Sequence, residues 1–333
     1  MRNLYLLYIT AISVALSTLS SAADLRHAPQ AVISNGFVTA KVWLPDPAKG
    51  FYRGTRFDWS GVISSLRYQG HEYFGSWKDS VEPHNEIVGP VESFTANNKV
   101  LGYKEAKVGE TFVRIGVGLC EKPDEEKYQW QRVYKIVDPS KWTIKQDNNW
   151  IEFTHNLSDG KGYAYRYTKR LTLTQGKAEL VLSHSLTNMG ERQIDTEVFN
   201  HNFFVIDGRP SGPEFEVSFP FPLTATRADL KGRIAIKDNT IHYPKVMTKG
   251  MDGMIGTGLT GFSTKAADNA FQIVNKKTGA GVRAKIDQPL SKLFFWTMEN
   301  TICPEPFIYM QIKPGATHRW NTEYTFFVQP AAQ

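Results

Sequence analysis

Short runs that alternate apolar and polar residues recur along most of this chain, and no stretch of a dozen residues repeats with the period of a helix. Ala178, Leu180, Leu182 and Leu186 alternate with Glu179, Ser183 and Ser185, and Val282, Ala284 and Ile286 with Arg283 and Lys285. A two-residue period puts alternate side chains on one face of an extended strand, and that face is buried by packing sheet against sheet. Tyr163 to Leu173 and Arg319 to Val328, rich in Tyr, Thr and Arg, read as long half-exposed strands. Turn signals separate the runs at Asn148-Asn149, Asp159-Gly160, Gln175-Gly176, Asn188-Met189-Gly190, Thr278-Gly279 and Pro314-Gly315. This is the rhythm of antiparallel hairpins, and the absence of alternating helices argues against parallel α/β folds. The expected fold is all-β, a large antiparallel sandwich with few or no helices.

The first residues follow a different logic. Arg2 precedes an apolar stretch from Leu4 to Leu19, and Ser20-Ser21-Ala22-Ala23 supplies small residues suited to cleavage. This is the three-part pattern of a secretory signal peptide, short for a membrane span of about 20 residues, with an uncleaved N-terminal anchor as the alternative. Residues 1–22 are therefore expected to be a signal peptide and 23–333 a single β-sandwich domain, periplasmic or secreted, with no membrane segment after cleavage. An oxidising compartment permits a Cys120–Cys303 disulfide, and two buried free thiols fit the sequence equally well. The segments Asp46 to Asp58, Trp77 to Pro90 and Asp207 to Pro222 are the most irregular and read as loops, where sites are carried.

Several functions are excluded by what the chain lacks. Its formal charge of +6 is spread without a run of five basic residues, so no nucleic-acid partner is expected. No phosphate-binding loop, dinucleotide fingerprint, serine-hydrolase elbow or His-Glu-x-x-His motif occurs. Gly116-Val117-Gly118 lies in a strand-like run and lacks a third glycine. The eight His stand singly, so neither metal nor other cofactor is expected. The aromatic load, 20 Phe, 14 Tyr and 8 Trp, serves a core but also supplies faces that bind sugars.

Two places hold polar chemistry where a β core should be apolar. Across Thr196 to Val205, alternation sets Glu197, Phe199, His201, Phe203 and Val205 on one face and Val198, Asn200, Asn202 and Phe204 on the other. Each face mixes polar groups with large apolar ones, and a buried polar group without a partner costs about 1–3 kcal/mol. His201 is either a hydrogen-bonded core residue or a functional one. In Cys303-Pro304-Glu305-Pro306, two residues without an N–H flank a carboxylate amid apolar neighbours. Glu305 is either a solvated turn residue or a carboxylate in an apolar pocket, whose pKa would be raised.

Together these motifs resemble the aldose 1-epimerase (galactose mutarotase-like) family. The resemblance rests on Asn200-His201-Asn202-Phe203-Phe204, Cys303-Pro304-Glu305-Pro306, Lys313-Pro314-Gly315 and the closing Tyr324-Thr325-Phe326, in the family's order. The opening Ser60 to Leu66 with Gly70-His71-Glu72 is similar to its first hairpin. The resemblance implies a large antiparallel β-supersandwich, a sugar or oligosaccharide partner, His201 as general acid and Glu305 as general base, interconverting the anomers of an aldose. Mutarotation opens a cyclic hemiacetal, so one group takes the anomeric hydroxyl proton while another protonates the ring oxygen, without metal or nucleotide.

The family's Asn-Arg and Leu-His-Gly-Gly segments are absent from the first third. The arginine-aromatic stretch Tyr52 to Trp59 offers Arg53 and Arg56 in their place, and His84 lies near the missing histidine, although an exposed loop suits it as well. Asn200 and Trp296 complete the expected sugar-binding set, with Trp77 as a further stacking platform. Two alternatives stand beside the epimerase: a non-catalytic carbohydrate-binding sandwich, and a lyase or hydrolase using the same pair. The sugar and the oligomeric state are not legible.

Overall fold

In a computed structural model, residues 27–79, 81–94 and 100–330 are described. The proposed signal segment 1–22 lies outside them. The alternating runs become antiparallel ladders, and among the described residues helix is confined to short 3-10 turns such as Met251–Gly253 and Ala266–Asp268. Among the described residues no helix is long and apolar enough to cross a membrane.

A ten-stranded sheet forms one layer. Its order is β16 (Ala235–Lys237), β17 (Thr240–His242), β14 (Phe215–Ser218), β19 (Ala270–Asn275), β20 (Ala280–Ile286), β23 (Thr317–Val328), β12 (Glu179–Asn188), β11 (Ala164–Leu173), β10 (Trp150–Ser158) and β9 (Lys141–Asp147). A six-stranded sheet packs on it in the order β15 (Thr224–Ala225), β18 (Ile255–Thr260), β21 (Lys292–Met298), β22 (Thr301–Ile312), β13 (Ile194–His201) and β5 (Val91–Phe94). A four-stranded sheet of β1 (Gln30–Ser34), β2 (Val38–Trp43), β3 (Val62–Tyr68) and β4 (His71–Glu72) shares the same core. A three-stranded sheet of β6 (Thr111–Arg114), β7 (Gly118–Glu121) and β8 (Ile136–Asp138) completes the set.

Burial follows the alternation. In β12, Leu180, Leu182 and Leu186 face inward while Glu179, Ser183 and Ser185 do not. Val198, Ile308, Met310 and Ile312 of the six-stranded sheet meet Tyr165, Tyr167, Leu186 and Trp320 of the ten-stranded one. The other face of the six-stranded sheet is also covered, by Phe57, Ile87, Phe112, Tyr128 and their neighbours. That cover explains why β13 and β22 read as nearly continuous buried runs, and it forms the walls of a cleft.

Three readings need correcting. Gly116 and Val117 are not strand but the turn between β6 and β7, and Gly118 opens β7, with positive φ at both glycines (77° and 146°). The segment 207–222 is not all loop, since it contains β14. The extended run through Val205 breaks after His201, because Phe203 takes a positive φ of 44°. Cys120 and Cys303 are both buried and free, so the disulfide option is not used.

Candidate functional site

The site is built by the register of two strands. Phe199 of β13 pairs with Phe307 of β22, and two residues further along the same register His201 falls opposite Glu305. The register holds beyond, where Phe204 bridges Ile302. Between these points the ladder is open. The N–H of Ile302 bonds Phe204 on the β13 side at 3.1 Å, so Pro304 and Pro306, at the same parity, turn donorless nitrogens that way. Prolines are tolerated inside this central strand because β13 needs nothing from them there. Asn202 closes part of the gap by donating from Nδ2 to the Pro304 carbonyl at 2.6 Å.

His201 and Glu305 therefore share one face, with Nε2 and Oε1 3.3 Å apart. Phe203 stacks on the imidazole at 3.6 Å between centroids, a position its positive φ permits. Phe57 and Trp296 meet the same ring edge-on at 5.7 and 5.4 Å. Trp77 stacks on Phe203 at 5.4 Å, and Trp130 is edge-on to Phe57 at 5.6 Å. Gly256 makes room for this wall, since a Cβ there would lie 3.0 Å from Phe294. The result is a cleft of about 560 Å³ lined by Trp77, Trp130, Trp296 and Phe294, with His201 and Glu305 in its wall. That volume is typical of small-molecule sites.

Burial sets the protonation of the pair. It pushes the Glu305 carboxyl well above the usual carboxylate range, against the pull of Lys292. It also pushes His201 well below the usual imidazole value, helped by the nearby Arg56 charge. The two sit at ion-pair distance, yet desolvation favours the neutral pair, with one proton on Glu305 and a neutral imidazole. Burial thus works against the resting state implied by the family resemblance, in which His201 carries the proton. His201 Nδ1 is buried without a hydrogen-bond partner in the protein.

The opposite face of the same strands is sealed. Asn200 does not reach the cleft: alternation turns it inward, where Nδ2 donates to Glu92 at 3.0 Å and Oδ1 accepts from Tyr324 at 3.2 Å. Glu92 also meets His184 Nε2 at 3.0 Å and Lys169, whose ammonium donates to the Ser60 carbonyl at 2.9 Å. Asp58 receives Tyr167 at 3.0 Å and lies 3.9 Å from Lys169.

Solved structures match this architecture over most of the chain. The Slr1438 protein of Synechocystis sp. PCC 6803 covers 93% of this chain and 99% of its own, with 10% identity and a TM-score of 0.56. A galactose mutarotase related enzyme from Lactobacillus acidophilus covers 91% and 99%, with 11% identity and a TM-score of 0.54. A GalM/aldose epimerase homologue from C. elegans covers 91% and 100%, with 11% identity and a TM-score of 0.51. The fold is galactose mutarotase-like. No family model matches the sequence, and no curated protein does. At these identities the likeness concerns the fold, as the motif order led us to expect.

On that mutarotase-like frame the expected site residues divide. His201, Glu305, Arg56 and Trp296 line one cleft. Arg53 and His84 do not: they border a separate pocket of about 430 Å³ with Trp59 and Tyr134. Arg53 is turned away by bonding the Gly50 carbonyl at 2.7 Å, and exposed His84 pairs with Glu82 at 3.0 Å. The chain at Gly54 runs so close under this turn that a Cβ would lie 2.2 Å from the His84 carbonyl oxygen, which fixes the turn outside the cleft. His201 and Glu305 are not opposed across a sugar-sized gap but are adjacent. Sequence reading missed Trp130, Lys78, Glu86 and Arg227, which also line the cleft. A tryptophan among polar residues at Gln129-Trp130-Gln131 was a usable signal for the first. Nothing local marked Arg227.

Proposed function

We propose that the protein is a carbohydrate-active enzyme that acts at the anomeric centre of an aldose and interconverts its anomers. The observation that carries this reading is the 3.3 Å His201–Glu305 contact in the wall of a cleft with three tryptophans. The faces of pyranose rings present C–H groups, which pack well on aromatic faces. The ring oxygen and the anomeric hydroxyl are both bonded to C1, so two adjacent groups can reach them together. Neutral His201 takes the hydroxyl proton while Glu305 gives its proton to the ring oxygen. The C1–O5 bond breaks, the aldehyde forms, rotation about C1–C2 exposes the other face, and reclosure returns both protons. The signal-like N-terminus suggests that this happens in the periplasm or outside the cell. A hydrolase is less well supported: it calls for two working carboxylates, and the cleft's second, Glu86, is held by Lys78 at 2.7 Å.

Polarimetry or exchange NMR on freshly dissolved α-anomers of a panel of aldoses tests the reading. The wild type should equilibrate at least one sugar faster than buffer, and Glu305→Gln should lose about a hundredfold or more of that acceleration. Buffer-rate relaxation of every sugar by wild type would defeat the proposal.

A further inference from the structure

The charge lining the cleft does not suit a neutral ligand. Lys78 and Glu86 cancel each other in their 2.7 Å ion pair. Arg56 and Arg227 remain, and among the described residues neither has a carboxylate within ion-pairing distance. Arg227 is exposed at the cleft margin, where its Nε donates to the Asp229 carbonyl at 2.9 Å. Arg56 is half-buried and rigidly mounted. Its carbonyl accepts from Ser93 at 2.6 Å and Arg114 at 2.9 Å, and its guanidinium lies 5.1 Å from the Trp130 ring centroid and 5.3 Å from that of Phe57. One amino group bonds the Asn85 carbonyl, but Nε is buried with no partner at all. A guanidinium held in a cleft wall with no carboxylate partner leaves its charge for a ligand to balance. The same positive charge acts on His201, which places it beside the proposed reacting pair.

We propose that the cleft takes an anionic sugar, with Arg56 holding the anionic group and Arg227 adding attraction from the rim. The single half-buried charge favours a carboxylate, as in a hexuronate, over a dianionic phosphate, since one flat guanidinium matches one flat carboxylate. The proposal rests on reading the cleft as a sugar site, and goes beyond it by naming the class of sugar.

Isothermal titration of the purified protein with glucuronate, galacturonate, the matching neutral hexoses and glucose 6-phosphate tests it, with acetate as the salt control. At least one uronate should bind about tenfold or more tighter than its neutral counterpart, and added salt should narrow that gap. Arg56→Gln should abolish the preference with its melting temperature retained, Arg56→Lys should restore part of it, and Arg227→Gln should reduce it. Equal or tighter binding of the neutral hexoses, or a preference that survives in Arg56→Gln, would overturn the proposal. Tightest binding of the 6-phosphate would overturn the carboxylate assignment. Anomer exchange measured on the same sugars separates the two readings. Uronate binding without exchange defeats the epimerase alone, and exchange of neutral sugars with no anion preference defeats the anionic-sugar reading alone.

Discussion

Glu305 owes its chemistry to what surrounds it rather than to being a carboxylate. Between Pro304 and Pro306 on a covered sheet face it loses water, and its proton is retained well above the usual carboxylate range. His201 is held neutral by the same burial. The expected pH dependence follows from these directions. Activity should be insensitive to pH between the two ionisations. It should fall on the acid side only well below the ordinary imidazole range, as His201 gains a proton, and on the alkaline side only well above the carboxylate range, as Glu305 loses one. A kcat/KM profile that instead rises with the ionisation of an ordinary carboxylate would show that Glu305 works as the resting base.

At the scale of elements, the cleft depends on two strands that keep register while their ladder opens. Gly89 guards that opening: a Cβ there would lie 2.1 Å from the Asn202 carbonyl oxygen and 2.9 Å from Phe203 Cβ. Those atoms are main chain or rigidly attached to it, so they cannot swing aside. Gly89→Ala should therefore displace the Asn202-Phe203 segment and the Phe203 ring that stacks on His201. We expect a loss of roughly 1–3 kcal/mol in urea unfolding, together with weaker ligand binding. Unchanged stability and affinity would mean that the segment has slack that its packing does not show. The same element explains a partial success of sequence reading. Alternation sorted His201 from Asn200 correctly, but a proline-flanked glutamate is equally at home in a turn, and only pairing with β21, beside the open stretch of β13, made it a buried strand position.

Across the whole molecule, the two large sheets are joined by more than apolar packing. Lys169 and His184 of the ten-stranded sheet meet Glu92 of the six-stranded one, with Asp58 beside them, all fully buried. Burial alone would raise Glu92, yet the Lys169 ammonium, with His184 beside it, holds it down to about 2, while burial lifts Asp58 to about 6. Lys169→Met should leave Glu92 without its ammonium partner and cost about 3–5 kcal/mol in urea unfolding at pH 7. The double variant with Glu92→Gln should recover part of that loss. A single-variant cost below about 1 kcal/mol would show that water reaches the network.

What the sequence determined by itself was the fold class and the identity of the pair. A two-residue period admits only sheets with one buried face, and the apolar half of each run must find another sheet. Ordered motifs then singled out His201 and Glu305 and the mutarotase-like architecture. Tertiary structure alone decided which of the flanking candidates share their cleft. Arg56 and Trp296 do, whereas Arg53, His84 and Asn200 do not, because that outcome depends on which way an irregular loop turns and which sheet face is covered. It also decided which way burial pushes the proton. Protonation depends on burial and on neighbours distant in the chain, Arg56 beside His201 and Lys292 near Glu305, and local sequence carries no record of those distances.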